Sequence, residues 1–430
     1  MDTGMQPNYL LVLFLVLYIL AALVRMGLHA LNVSHLRGEG HVVPREFAGD
    51  IDAKKLDEIR DYAVATGRMG TVRHLFYDLF LPALAISGLL PWLAGTISSW
   101  GLSFILSGIL FFLACYLLIG LFDIPLDLIQ TFGVEKRFSF STISWSTWAA
   151  DLVKSALVSA LMLGALLAAI LSLIHSFPDS WWLWTWLFFI SFQALVSWLY
   201  PVVIAPLFNR FEPVEDRGLA RDISSMARRA GFRISGIYTM DAMKRSRHSN
   251  AYFTGIGKTK RIVLFDTLLK DHGREEILAI LAHELGHWKK GHVVKQMVLS
   301  SVFSLLALYG AHLALQQDIL FRTFGFDTRV IPAGLFILAV FIRPAAFFLS
   351  PVRAMISRRF ERQSDDFSSA MMGGPEPLID ALKRLASRNL ANLHPHPAYA
   401  WFSYSHPPVI ERIRRLENRE EVHERSSAQQ

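Results

Sequence analysis

Seven stretches of this chain are apolar for long enough to cross a bilayer, and this limits the possible folds more than any other feature. Spanning roughly 30 Å of hydrocarbon takes about 20 predominantly apolar helical residues. Runs of that kind occupy about 9–31, 76–98, 102–122, 152–174, 182–208, 293–315 and 331–350. Lipid offers a backbone no hydrogen-bond partner, so each run is expected to be a helix. The alternative is a large soluble enzyme with buried helices, but such enzymes rarely repeat nearly uncharged runs of this length. Hydrophobic residues make up 53% of the chain and charged ones only 18%, which agrees with a membrane protein. The first run has no basic residue before it and no small-residue cleavage site after it, and reads as a retained span.

Charge placement predicts the orientation. Lys and Arg outside the runs number 37 on one set of alternating loops, against only Arg322 and Arg329 on the other. The basic side is therefore expected to face the cytoplasm. The net charge of +7 follows from topology, with anionic lipid as its electrostatic partner. No basic-aromatic module points to nucleic acid. Cys115 is alone, which excludes an intramolecular disulfide and a thiolate metal cluster, and it reads as a small core residue. Asn32-Val33-Ser34 fits a glycosylation sequon but opens the first cytoplasmic loop, where no glycan would be added.

The expected organisation is α-helical: about seven transmembrane helices with a small α/β domain on the cytoplasmic side. Residues 1–208 hold five spans and a polar loop, 32–75, in which 52–65 reads as an amphipathic helix lying over the membrane face. Residues 209–292 alone have soluble-domain character. There, 216–230 reads as a helix, 234–240 as a strand, and 251–265 as a hairpin with Gly255, Gly257 and Lys258-Thr259-Lys260 near its turn. Two spans follow in 293–350, juxtamembrane helices in 351–416, and a polar tail, 417–430, expected to be disordered. Arg343, His312 and Lys295 lie within spans, where ionisable groups usually face a wet cavity or a partner. Lys295 is expected to snorkel, and Arg343 can be read as lying near an interface beside Pro344. Trp181, Trp182, Trp184 and Trp186 read as interfacial anchors of the fifth span.

The chemistry-bearing motif is His283-Glu284-Leu285-Gly286-His287. On a helix from about 274 to 288, the two imidazoles lie one turn apart on one face and can bind one Zn²⁺ together. Glu284 sits where it can take a proton from water at such a metal. A catalytic zinc needs a third protein ligand and one open position. His292 is one residue off the spacing of the longer HExxHxxGxxH motif and reads better as a polar cap where the helix meets the membrane surface. After the seventh run, Glu361 and Asp365 stand four apart on one helical face. Glu361 fits the third ligand, and Asp365 fits an acceptor for the free ring N–H of a ligating His. The competing reading is a helix whose carboxylates pair with Arg358 and Arg362.

Further motifs join these along the chain: Tyr200-Pro201-Val202-Val203-Ile204-Ala205-Pro206, Ser249-Asn250-Ala251-Tyr252 with Gly255, Arg261-Ile262-Val263-Leu264-Phe265-Asp266, and Ser405-His406-Pro407-Pro408 with Glu411-Arg412. Together with HExxH and the Glu361/Asp365 pair they resemble the type I CAAX prenyl proteases, integral-membrane zinc metalloproteases of the gluzincin type. The compact tail and the lack of a lumenal retention signal suggest a bacterial member of that family.

The resemblance implies roles. His283, His287 and Glu361 would hold one zinc, with Glu284 as general base and Asp365 behind a ligating His. His406 would support the oxyanion, joined by Arg412. Asn250 and Ala251 would hold the substrate backbone as an added strand, and the fold would enclose a chamber between its spans. The implied substrate is a peptide or protein, prenylated or not, and the implied activity is removal of the C-terminal -aaX tripeptide. A general membrane-protein quality-control protease is the alternative. The site would face the cytoplasm from the bacterial inner membrane, or from the endoplasmic reticulum in a eukaryote. A non-catalytic scaffold or transporter would show an internal repeat or a lost Glu284, and this sequence has neither.

Overall fold

The computed structural model describes residues 8–255 and 260–427. Its membrane part begins with α1 (Tyr9–Glu39), α2 (Ala53–Ile86), α3 (Leu89–Ser98), α4 (Phe104–Leu128), α5 (Trp145–Ser176) and α6 (Trp181–Leu199). A four-stranded sheet and its helices follow: β1 (Phe211–Pro213), α7 (Arg217–Arg229), β2 (Gly236–Met240), β3 (Ala251–Thr254), β4 (Arg261–Phe265), α8 (Asp266–Asp271) and α9 (Arg274–Lys289). The chain then returns through α10 (His292–Leu315), α11 (Asp318–Thr323) and α12 (Ile331–Met372). It ends in α13 (Glu376–Arg388), α14 (Pro397–Ser403) and α15 (Val409–Ser427).

The seven apolar runs all become helices, and two depart from the expected form. The second is broken between α2 and α3, which meet at a 53° bend where Gly88 adopts a left-handed conformation. Its N-terminal part is also longer than expected. Residues 52–65 do not lie flat as a separate helix, because α2 starts at the Asp52 cap and runs unbroken into the membrane. The seventh run likewise continues as one 42-residue helix, so the segment with Glu361 extends a span instead of forming a separate juxtamembrane helix. The tail expected to be disordered continues α15 as far as Ser427, because its charged residues are good helix formers despite their polarity. Residues 428–430 lie outside the described residues.

In the part between α6 and α10, the helix expected over 216–230 forms as α7, with Asp216 accepting from the Gly218 and Leu219 amides. The expected strand forms as β2. The hairpin pairs β3 and β4 antiparallel from Ala251↔Leu264 to Thr254↔Arg261. Of its turn, Gly257, Lys258 and Thr259 fall outside the described residues. The sheet order is β1-β2-β4-β3, which leaves β3 at an edge. One face of the sheet buries Ile262 and Leu264 against Leu219, Ile223 and Met226 of α7 and Leu281 and Leu285 of α9.

A second core, built from Phe14, Leu90, Phe111, Cys115, Phe321, Phe324 and Ile337, closes the opposite end of the bundle and confirms Cys115 as a packing residue. Trp181 belongs to that core, and the Trp186 indole donates to the Ser301 carbonyl at 2.8 Å, so these two rings are packed within the protein instead of anchoring it at an interface. Lys295 sits near the start of α10 with its ammonium 5.9 Å from the Phe360 ring centre, and His312 bonds Gln316 at 2.9 Å.

Candidate metal centre

Two helices make the centre. Helix α9 starts with Glu276 folding back onto the Gly273 amide at 3.1 Å, and it buries one face under the sheet. Its other face lies along α12, and the crossing is set by small residues. A Cβ on Gly286 would stand 3.0 Å from the Ser364 Cα, and the Ser368 hydroxyl donates to the Ala279 carbonyl at 2.7 Å. This close approach, which a Cβ at Gly286 would crowd, brings a carboxylate of one helix against two imidazoles of the other.

At the crossing, His283 Nε2 and His287 Nε2 stand 3.2 Å apart, and each lies 3.3 Å from an oxygen of Glu361. The three residues form a group able to hold a metal ion. A tetrahedral zinc with bonds of about 2.0–2.1 Å places its donor atoms about 3.3 Å apart, so these three sit near the corners such an ion needs. Glu361 is 3% exposed, and its Oε2 has no hydrogen-bond partner. A bare carboxylate oxygen at this depth fits a ligand atom.

The remaining ring nitrogens are fixed from behind. His283 Nδ1 lies 2.8 Å from Asp365 Oδ1. Burial opposes charge on His283, yet the neighbouring carboxylates of Asp365 and Glu361 prevail and lift the imidazole to about 9, so the surroundings favour positive charge there. Arg412 donates through Nε and Nη2 to both oxygens of Asp365, at 3.0 and 2.5 Å. The Asp365 carboxylate thus holds the guanidinium beside His283, 3.5 Å from its Nδ1.

His287 has a support that the sequence did not reveal. His292 Nδ1 lies 3.2 Å from His287 Nδ1, His292 Nε2 lies 2.8 Å from the Gln363 side-chain oxygen, and the ring stacks on Phe360. His292 is therefore neither a third ligand nor a surface cap, since it is 1% exposed. The left-handed Gly291 turns the chain so that the residue five after His287 folds back against it.

The other expected residues surround this core. Burial raises the carboxyl of Glu284 above the usual carboxylate range, while His283 and His287 pull it back. His406 reaches Glu361 Oε1 with its Nε2 at 3.3 Å, and its Nδ1 lies 3.0 Å from the Ser405 hydroxyl. Ala251 is buried at the start of β3, its amide capped by the Asn250 side chain at 2.8 Å, and the outer edge of β3 has no strand partner among the described residues.

Comparison with known proteins agrees with this architecture. Residues 32–210 match the CAAX prenyl protease N-terminal family of five membrane helices, and residues 213–420 match Peptidase family M48. A CAAX prenyl protease 1 homolog of Arabidopsis thaliana is 31% identical, over 87% of this chain and 90% of its own length. The CAAX prenyl protease 1 of Saccharomyces cerevisiae is also 31% identical, over 87% and 88%. The crystal structure of Ste24p from S. mikatae superposes with a TM-score of 0.88 at 28% identity, covering 95% of this chain and 99% of that one. The chain is thus a multi-pass membrane metallopeptidase and belongs to the M48 family, in the branch built on the CAAX prenyl protease membrane module.

Proposed function

We propose that this protein is a zinc-dependent membrane endopeptidase that removes the C-terminal -aaX tripeptide from prenylated CAAX proteins, with its site facing the cytoplasm. The observation that carries this reading is the triangle of His283, His287 and Glu361, with the two Nε2 atoms 3.2 Å apart and each 3.3 Å from one oxygen of a buried carboxylate. The names of the relatives support the substrate class, and the 37-to-2 bias of basic residues supports the orientation.

When bound at this triangle, zinc supplies a Lewis acid that polarises the scissile carbonyl and brings the pKa of a water close to neutrality. Glu284 takes the proton from the attacking water and returns it to the leaving amine nitrogen. His406 donates its Nε2–H to the oxygen that gains charge. Asp365, held by Arg412, keeps the Nδ1–H of His283 oriented so that Nε2 is free to ligate. The free edge of β3 at Asn250 and Ala251 receives the substrate backbone as an added strand.

Glu284→Gln keeps the size of the side chain and removes its basicity. Its turnover of a farnesylated CAAX peptide is expected to fall by about a thousandfold or more, with metal content unchanged. Retained peptidase activity would remove Glu284 from the role of base. Equal cleavage of the farnesylated peptide and an unmodified hydrophobic one by the unaltered protein would instead favour a quality-control protease without prenyl specificity.

A further inference from the structure

Among α1, α2, α12 and the stretch from Asn389 to Tyr404 lies a cavity of about 730 Å³ whose wall carries Arg25, Arg343 and Arg353. Among the described residues, no Asp or Glu lines it. One carboxylate, Asp78, stands behind this wall, pairs with Arg25, and lies 3.8 Å from the Nε of Arg343. That Nε is buried and lacks a hydrogen-bond acceptor. Two guanidinium groups are held on aromatic faces, Arg25 over Phe347 at 4.4 Å and Arg343 over Tyr77 at 5.1 Å. Three positive charges therefore meet one negative charge, two of them on transmembrane helices, where unbalanced charge is unfavourable without a counter-ion.

Where the cavity opens indicates which anion belongs there. Asn389, in its wall, accepts the Ser249 amide at 3.1 Å and donates to the Ser249 carbonyl at 3.2 Å, which anchors it to the residue just before Asn250 and β3. Tyr404, also in the wall, is two residues before His406. A peptide laid antiparallel on β3 runs toward Asn250 with its C-terminal end, the side on which Ser249 is joined to Asn389 in the cavity wall. A chain end three residues past the cut bond lies within about 10 Å of it.

We propose that this arginine-lined cavity binds the C-terminal carboxylate of the peptide substrate and so sets how far from the chain end the enzyme cuts. The proposal rests on the function argued above and adds to it a recognition element separate from the lipid and from the metal. Guanidinium groups suit the task, because they pair with a carboxylate through two parallel hydrogen bonds.

The test uses the full-length, zinc-loaded protein in detergent and two farnesylated CAAX peptides, one ending in a free carboxylate and the other in an amide. For the unaltered protein, kcat/KM for the acid is expected to exceed that for the amide by about 10- to 100-fold, mainly through KM, as for the loss of one or two charged hydrogen bonds. In Arg343→Gln the ratio should fall toward one. Arg353→Gln, whose side chain is exposed and has no ion pair among the described residues, should lower it by a smaller factor and carries the test if Arg343→Gln fails to fold. Equal cleavage of acid and amide at the same bond overturns the carboxylate site and leaves the proposed function standing. A ratio that survives both substitutions also overturns it. If phosphatidylglycerol vesicles raise the rate on both peptides equally, and only while the arginines are present, the occupant is a lipid phosphate and the proposal fails. Cleavage of neither peptide removes the proposed function, and the carboxylate site falls with it.

Discussion

The two ends of α12 belong to one helix and obey opposite rules. Along its membrane part, and on α5 and α10, large apolar side chains point away from the protein: Leu161 is 73% exposed, Leu306 62% and Leu349 53%. Beyond the membrane part, the same helix turns polar groups inward, and Glu361, Ser364, Asp365 and Ser368 are each 3% exposed or less. In the first region, exposed leucines mark a surface meant for lipid. In the second, buried carboxylates would be costly alone, and each is answered by imidazole, guanidinium or a metal position. What a helix buries therefore depends on the solvent around it, and the metal centre forms where the two regimes meet.

The largest expected effect comes from removing the buried carboxylate that makes this contrast. Glu361→Ala deletes one of the three proposed ligands and leaves two facing imidazoles without the charge that would balance a divalent ion. Bound zinc should fall close to zero by elemental analysis, and turnover should drop by about a thousandfold or more. Intact metal content and turnover in this variant would show that the inward-facing carboxylates have only a structural role.

A smaller effect tests how far the ordered polar interior extends. If His287 ligates through Nε2, its Nδ1–H donates to His292 Nδ1, and His292 Nε2–H donates to Gln363, a relay consistent with one tautomer for each ring. Breaking it with His292→Ala should weaken metal affinity by about 10- to 100-fold, the usual range when such a support is lost. Competition with a chelating dye reads this directly, independent of activity. An unchanged affinity would limit the ordered shell to Asp365 and Arg412.

Much of this was legible in the sequence because the strongest signals were about spacing. Length and lack of charge reveal a span, and four-residue spacings put His283 with His287 and Glu361 with Asp365 on single faces. What stayed hidden depends on contacts across the fold. Helix α2 carries Arg68, Arg73 and His74 where it nears the membrane, and that polarity read as a loop although part of it faces a cavity. Strand β1 is three residues long and ends in Pro213, so periodicity could not find it. Gly291 had to turn left-handed before His292 could meet His287, and the bond between Arg412 and Asp365, 47 residues apart, has no spacing signal.

The smallest effect is expected on the lipid-facing side, where two leucines ten residues apart on α5 divide the rule between them. Leu171 is fully buried, and a Cβ on Gly108 of the neighbouring α4 would come within 2.5 Å of its Cδ1, so the two helices pack tightly there. Leu161 touches little of the protein. Leu171→Ala leaves a cavity and should lower stability by about 2–5 kcal/mol. Leu161→Ala removes contacts with lipid or detergent that the unfolded helix also makes within the membrane, so its unfolding midpoint should hardly move and kcat/KM should stay within about twofold of the unaltered protein. Thermal unfolding of the two variants in the same detergent makes the comparison. Equal shifts would mean that α5 does not present Leu161 to lipid, and that a further protein surface covers this face.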